Sequence, residues 1–129
     1  MNQVSVSPFS ASLTIGLQRG YSKDSFTRDD LLKSIREFQD RLIKEHDIYL
    51  SASLSDCEIV LRDYAEPHIR IDLINYPRFP LDEKSFKHHT KNLARFLMET
   101  FEQNRIVILY HDEHLMLENS RAVGQGILR

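Results

Sequence analysis

Residues 48–73, IYLSASLSDCEIVLRDYAEPHIRIDL, decide the fold. Apolar and polar side chains alternate through Ile48, Leu50, Ala52 and Leu54, a period of two that marks a strand with one buried face. Beyond Asp56 the alternation resumes one residue out of phase, through Cys57, Ile59 and Leu61. A β-bulge at Ser55-Asp56 is the expected cause, because one inserted residue returns the apolar set to its original face. A tight hairpin there suits the residues less well, since Ser-Asp lacks the glycine that two-residue turns favour. Asp63–Pro67 reads as a turn, and Ile69, Ile71 and Leu73 alternate with Arg70 and Asp72 on a return strand.

Helical patterns flank this pair of strands. Thr27 is placed to cap a helix with Asp30 as its capping-box partner, and Phe26 can staple onto Leu31. Leu31, Ile35, Phe38 and Leu42 then recur at helical spacing. A second helix is expected from Asp82, with Leu81 and Phe86 as its staple and Phe86, Leu93, Leu97 and Phe101 as its core stripe. Further out, Ala11–Leu17 alternates as a first strand and residues 3–9 read as a separate edge piece. Arg105–Tyr110 is a last central strand, followed by a turn within His111–Glu113 and a short strand Leu115–Leu117.

The order is β-α-β-β-α-β, an α+β ferredoxin-like split sheet with both helices on one face and an extra C-terminal hairpin strand. Residues 1–118 are expected to form one domain. Residues 119–129 are expected to be a flexible tail, or to dock Ile127 and Leu128 on a neighbouring subunit. A four-stranded sheet with one open face and a long edge strand commonly hides them against another copy, so a homo-oligomer is expected.

At 129 residues, 41% hydrophobic and 28% charged, the chain suits a single core. A net charge of -2 supplies no bulk attraction to nucleic acid or an anionic membrane. The lone Cys57 has no internal partner and fits a reducing compartment. No signal sequence is evident, and the longest strongly apolar run, Ile106–Tyr110, falls far short of the ~20 residues of a membrane helix. A cytoplasmic protein without membrane contact is the expectation.

The segment Asn75-Tyr76-Pro77-Arg78-Phe79-Pro80 is the main candidate for a site, because its two prolines hold exposed groups in a fixed path after a strand. If the first and third strands run side by side in parallel, the loops 18–26 and 75–81 leave the sheet at one edge. Arg19 and Tyr21 would then face Asn75, Tyr76 and Arg78, and both helix N-termini would point into the same cleft. Two arginines, two tyrosines and two helix starts suit an anionic small molecule. The competing role for Arg19 and Arg78 is to pair with Asp29, Asp30, Asp82 and Glu83.

Other groups offer less. His88 and His89 diverge by about 100° on a helix, and His111-x-x-His114 spans a polar turn, so no metal site is expected. Cys57 alternates with apolar residues as a small core side chain would. No P-loop, dinucleotide glycine fingerprint or nucleophile elbow is present, and no cofactor is expected. Gly16-Leu17-Gln18-Arg19-Gly20 loosely resembles the phosphate-cradling turn of acylphosphatases, whose glycine pattern it does not reproduce. The element order is similar to that of the tautomerase superfamily, but the amino-terminal proline base of that family has no counterpart before Pro8. Lys84, Lys87, His88, Lys91 and Arg95 form one basic ridge on the second helix, without the interleaved aromatics of a nucleic-acid surface. The functional expectation is an oligomeric binding or structural domain with an anionic-ligand pocket. The alternatives are a small enzyme acting on an anionic metabolite there, and, with less support, a nucleic-acid accessory protein using the ridge.

Overall fold

The computed structural model describes residues 1–18 and 24–119. Its elements are β1 (Ser10–Gly16), α1 (Arg28–His46), β2 (Ser53–Leu61), β3 (Tyr64–Ile74), α2 (Glu83–Thr100), β4 (Arg105–Tyr110) and β5 (His114–Glu118). The strands form one antiparallel sheet in the order β2-β3-β1-β4-β5. This is the expected α+β, ferredoxin-like split sheet, extended by the C-terminal hairpin strand.

Both helix starts form as the local residues dictate. Thr27 Oγ1 accepts the Asp30 N–H at 3.1 Å, and the Asp30 carboxylate accepts the Thr27 N–H at 3.0 Å. Asp82 accepts the Ser85 N–H at 3.1 Å, and hydrogen bonding from the Ser85 side chain, then from this N–H, holds its carboxyl below the usual range. α1 stops at Asp47, whose φ of 54° suits a C-terminal cap.

In an antiparallel sheet, paired residues share a face. Leu54 pairs with Ile71, Ile71 with Leu13, Leu13 with Ile108, and Ile108 with Leu115. One apolar row therefore crosses all five strands on the helix side, buried at its centre, where Phe86, Leu93 and Leu97 of α2 and Leu31 and Ile35 of α1 join the same core.

Three expectations are corrected. β2 contains no bulge: its pairing with β3 is unbroken from Ser53 opposite Asp72 to Leu61 opposite Tyr64. The turn is Arg62-Asp63 alone, with β3 starting at Tyr64, and Ile48–Ala52 precede the strand. Without a bulge, Cys57, Ile59 and Leu61 face away from the helices, on the side opposite Leu54. The phase slip marks a strand that changes which of its faces is apolar.

The second correction concerns direction. β1 and β3 are antiparallel, Ser10 lying opposite Ile74 and Gly16 opposite His68. A right-handed crossover makes β2 parallel to β1, and the hairpin into β3 reverses it, so β3 must oppose β1. The C-terminal ends of β1 and β3 are thus about 20 Å apart along the strands. The two helix N-termini also lie at opposite ends of the sheet. Third, residues 3–9 form no strand; Phe9 is tied back by its N–H to the Ser7 carbonyl at 2.9 Å.

Among the described residues, no helix is long and apolar enough to cross a membrane. Of the expected tail, Asn119 donates its N–H to the Asn104 carbonyl at 2.8 Å, and residues 120–129 lie outside the described residues.

Candidate functional site

Where β3 ends, Asn75 organises the chain. Only 6% exposed, it donates its backbone N–H to the Phe9 carbonyl at 2.9 Å and its Nδ2 to the Ser7 carbonyl at 3.0 Å. Its Oδ1 accepts the Leu81 N–H at 2.8 Å, which closes the proline segment into a loop. Asn75 therefore positions the loop rather than reaching out of it. Inside that loop Tyr76-Pro77-Arg78-Phe79 is a turn closed by the Phe79 N–H to the Tyr76 carbonyl at 2.9 Å, with proline where its fixed φ favours the turn.

The turn displays an aromatic group. Phe79 stacks on Tyr49 with ring centroids 4.7 Å apart and on Tyr76 at 6.3 Å, and the Arg78 guanidinium lies 5.6 Å from the Phe79 centroid. Tyr76 remains 43% exposed. Tyr76, Pro77 and Arg78, together with Asn2 and Val4, line an open pocket of about 440 Å³. Of the five residues expected to bind a ligand, Tyr76 and Arg78 share this pocket and Asn75 braces it. Arg19 and Tyr21 lie outside the described residues; their flanks, Gln18 and Ser25, bridge each other at the far end of β1.

An ionic cluster occupies the same end of the sheet. His111 Nε2 sits 3.0 Å from Glu83, and its Nδ1 lies 3.3 Å from the Ser10 backbone nitrogen. The Glu83 hydrogen bond raises the His111 pKa. Lys87 Nζ reaches Asp112 at 2.8 Å and Glu113 at 3.2 Å, which raises the lysine pKa and lowers that of Asp112. The ligand atoms of Glu83, His111 and Asp112 lie within 4.8 Å of one another, close enough to hold a metal ion. Lys87 already supplies the cation at those carboxylates, and the cluster ties the β4–β5 turn to α2. His114 does not join it, because it pairs with Leu109 on the sheet face away from the helices. Lys87 is likewise spent as a member of the basic ridge.

At the opposite end, Leu17, Arg28, Asp56, Cys57, Glu58, Pro67, His68 and Ile69 line a second open cleft of about 540 Å³. Arg28 pairs with Asp56 at 3.3 Å. The His68 ring lies over Gly16, where an added Cβ would come within 3.3 Å of Nε2, so glycine leaves room for the imidazole. His68 Nδ1 is 3.1 Å from the Glu66 carbonyl. Cys57 pairs with His68 on the outer face rather than entering the core as expected.

Two groupings escaped the sequence. His46, in the last turn of α1, packs at a tilt against His89 with centroids 5.4 Å apart, and His88 lies 5.0 Å from His89. Burial lowers the His89 pKa, and its two neighbours lower it further. The Tyr49–Phe79 stack is the other. Both join residues distant in sequence, and only the antiparallel packing of α1 and α2 brings them together.

No family model matches the chain, and no curated protein matches it. Two solved structures do. A phage SAM lyase in complex with S-methyl-5'-thioadenosine is 18% identical, with a TM-score of 0.68, covering 93% of this chain and 96% of that one. A phage SAM lyase in the apo state is 19% identical, with a TM-score of 0.71, covering 92% and 95%. The likeness is one of fold. It spans nearly the whole of both chains, strands and helices alike.

Proposed function

We propose that this chain is a self-associating binding domain for a small molecule that carries a planar ring and a negative charge, seated against Tyr76, Pro77 and Arg78. The observation that carries the reading is the pocket itself. It combines a half-exposed tyrosine ring with a guanidinium that, among the described residues, forms no ion pair, on a loop braced by Asn75. A ring stacks on the tyrosine, and the guanidinium takes the anion through paired hydrogen bonds. Gln18 and Ser25, which flank Arg19 and Tyr21, bridge each other at the opposite end of the sheet, so those two residues are left out of this ligand set.

The fold neighbours suggest which molecule to try first. One was solved with S-methyl-5'-thioadenosine and both are SAM lyases, so adenosyl compounds are the natural probes. S-methyl-5'-thioadenosine tests the ring alone, and SAM adds a carboxylate for Arg78. Binding would raise stability by ~2.7 kcal/mol when the free ligand is at about a hundred times its Kd. Thermal shift and calorimetry with both compounds are the test. Arg78→Ala should weaken SAM more than S-methyl-5'-thioadenosine, and Tyr76→Ala should weaken both. No shift with either compound, or shifts that survive both substitutions, would remove this pocket from the reading.

A second reading follows from the neighbours being lyases: the chain is a small enzyme that acts on the bound molecule. Chromatography of SAM incubated with the protein tests it, with formation of S-methyl-5'-thioadenosine as the positive result.

A further inference from the structure

The β2–β3 hairpin overshoots the rest of the sheet. β1 ends at Gly16 opposite His68, so among the described residues Glu58–Leu61 and Tyr64–Pro67 pair only with each other. At that tip Ile59, Val60, Leu61 and Tyr64 are exposed, Val60 at 64% and Leu61 at 68%. Because the apolar set of β2 changes face without a bulge, the tip is apolar on both sides, with Val60 on one and Ile59, Leu61 and Tyr64 on the other. β2 is also a sheet edge nine residues long, with no proline or lysine. Asp56 and Glu58 guard its middle as charged edge residues do, but nothing guards Ile59–Leu61.

Charge disfavours one register of a second copy and favours another. If two β2 edges met antiparallel about Cys57, Asp56 would face Glu58 of the other copy, a like-charge contact that disfavours pairing. Meeting about Val60, Ile59 faces Leu61 and Glu58 faces Arg62. The chain thus carries at one tip both the apolar strip and the opposite charges needed to receive itself. The four residues expose on the order of 400 Å² per copy, half of the ~800 Å² that one partner contributes to a standard interface, so the association is expected to be weak and concentration-dependent.

We infer that two copies of this chain associate through the tips of their β2–β3 hairpins, β2 running antiparallel to β2 of the second copy with Glu58 across from its Arg62. This rests on the self-association proposed above and names its surface.

Sedimentation velocity between about 5 and 500 μM tests it over the range in which such an interface assembles. The wild-type chain should pass from 15.2 kDa toward twice that mass. Leu61→Lys should hold the protein monomeric, with its circular dichroism and melting unchanged because residue 61 is exposed. Glu58→Arg should weaken the dimer by tenfold or more, and E58R/R62E should restore it, which no loss of folding could mimic. A wild-type monomer throughout would overturn both this surface and the self-association. An oligomer indifferent to L61K and E58R would overturn the hairpin tip alone, and dissociation by Leu109→Lys instead would move the interface to the open face of β4 and β5.

Discussion

Replacing Asn75 tests whether one buried amide holds the candidate pocket together. Asn75→Ala removes the bond from Nδ2 to the Ser7 carbonyl and the acceptor of the Leu81 N–H. Each bond contributes about 1 kcal/mol net, and the small void left by a nearly buried side chain adds to that. A loss of about 2–3 kcal/mol is expected, equivalent to ~8 °C in Tm for a chain of this size. Asn75→Asp separates the two bonds. It keeps the acceptor for Leu81 but sets a carboxylate against the Ser7 carbonyl oxygen, so at neutral pH it should be at least as damaging as alanine. Below about pH 4 the protonated acid regains a donor, and the gap to the wild type should narrow. Urea denaturation of the three proteins at pH 7 and pH 4 measures all of this. An N75A protein within 0.5 kcal/mol of the wild type would refute the reasoning, because water would then satisfy Ser7 and Leu81 as well as the amide does.

Other perturbations follow from the same geometry. Leu13→Ala, at the centre of the five-strand row, should cost about 3–5 kcal/mol in chemical denaturation. His111 has a folded pKa raised above 6.5 by Glu83, so its contribution is complete below pH 6.5 and fades as pH climbs through the folded pKa; Glu83→Gln should flatten that part of the Tm–pH curve. His89 behaves oppositely. Burial lowers its folded pKa, so its neutral form supports the fold above pH 6.5 and that support is lost as pH falls toward the folded value, which an NMR titration of the imidazoles can follow for both residues. Arg62 holds φ at 58° in the two-residue turn, so Arg62→Gly should raise Tm slightly despite the extra freedom of the unfolded chain.

The parts of the fold that rest on neighbours in sequence were legible. Thr27 with Asp30, and Asp82 before Ser85, announce helix starts because capping is settled within four residues. Ala11, Leu13 and Ile15 announce β1 by period alone, and the same holds for Ile69, Ile71 and Leu73 of β3. The reversal of β3 against β1 was also within reach, since a hairpin after a parallel crossover leaves no other direction; taking the two as parallel joined loops that the sheet holds apart. In β2 the alternation through Cys57, Ile59 and Leu61 has the period of a core face, but the pairing with β3 puts all three on the outer face of the sheet. For the candidate site, the location at Asn75–Pro80 was legible from two prolines. The roles within it were not, because Asn75 is spent on Ser7 and Leu81, and Tyr49 arrives from another element.

The place of β1 at the centre of the sheet bears on how the chain is made. Ser10–Gly16 is translated before any of its partners, yet it pairs with β3 on one side and with β4 on the other. The β2–β3 and β4–β5 hairpins can close locally within microseconds, whereas β1 must wait for Ile74 to emerge before it meets β3, and its other edge stays open until Tyr110 has left the ribosome. At ordinary synthesis rates that wait is on the order of ten seconds. The strand that completes the native sheet is therefore also the strand longest exposed to wrong partners, and its docking between two preformed hairpins is the step on which the yield of folded protein depends.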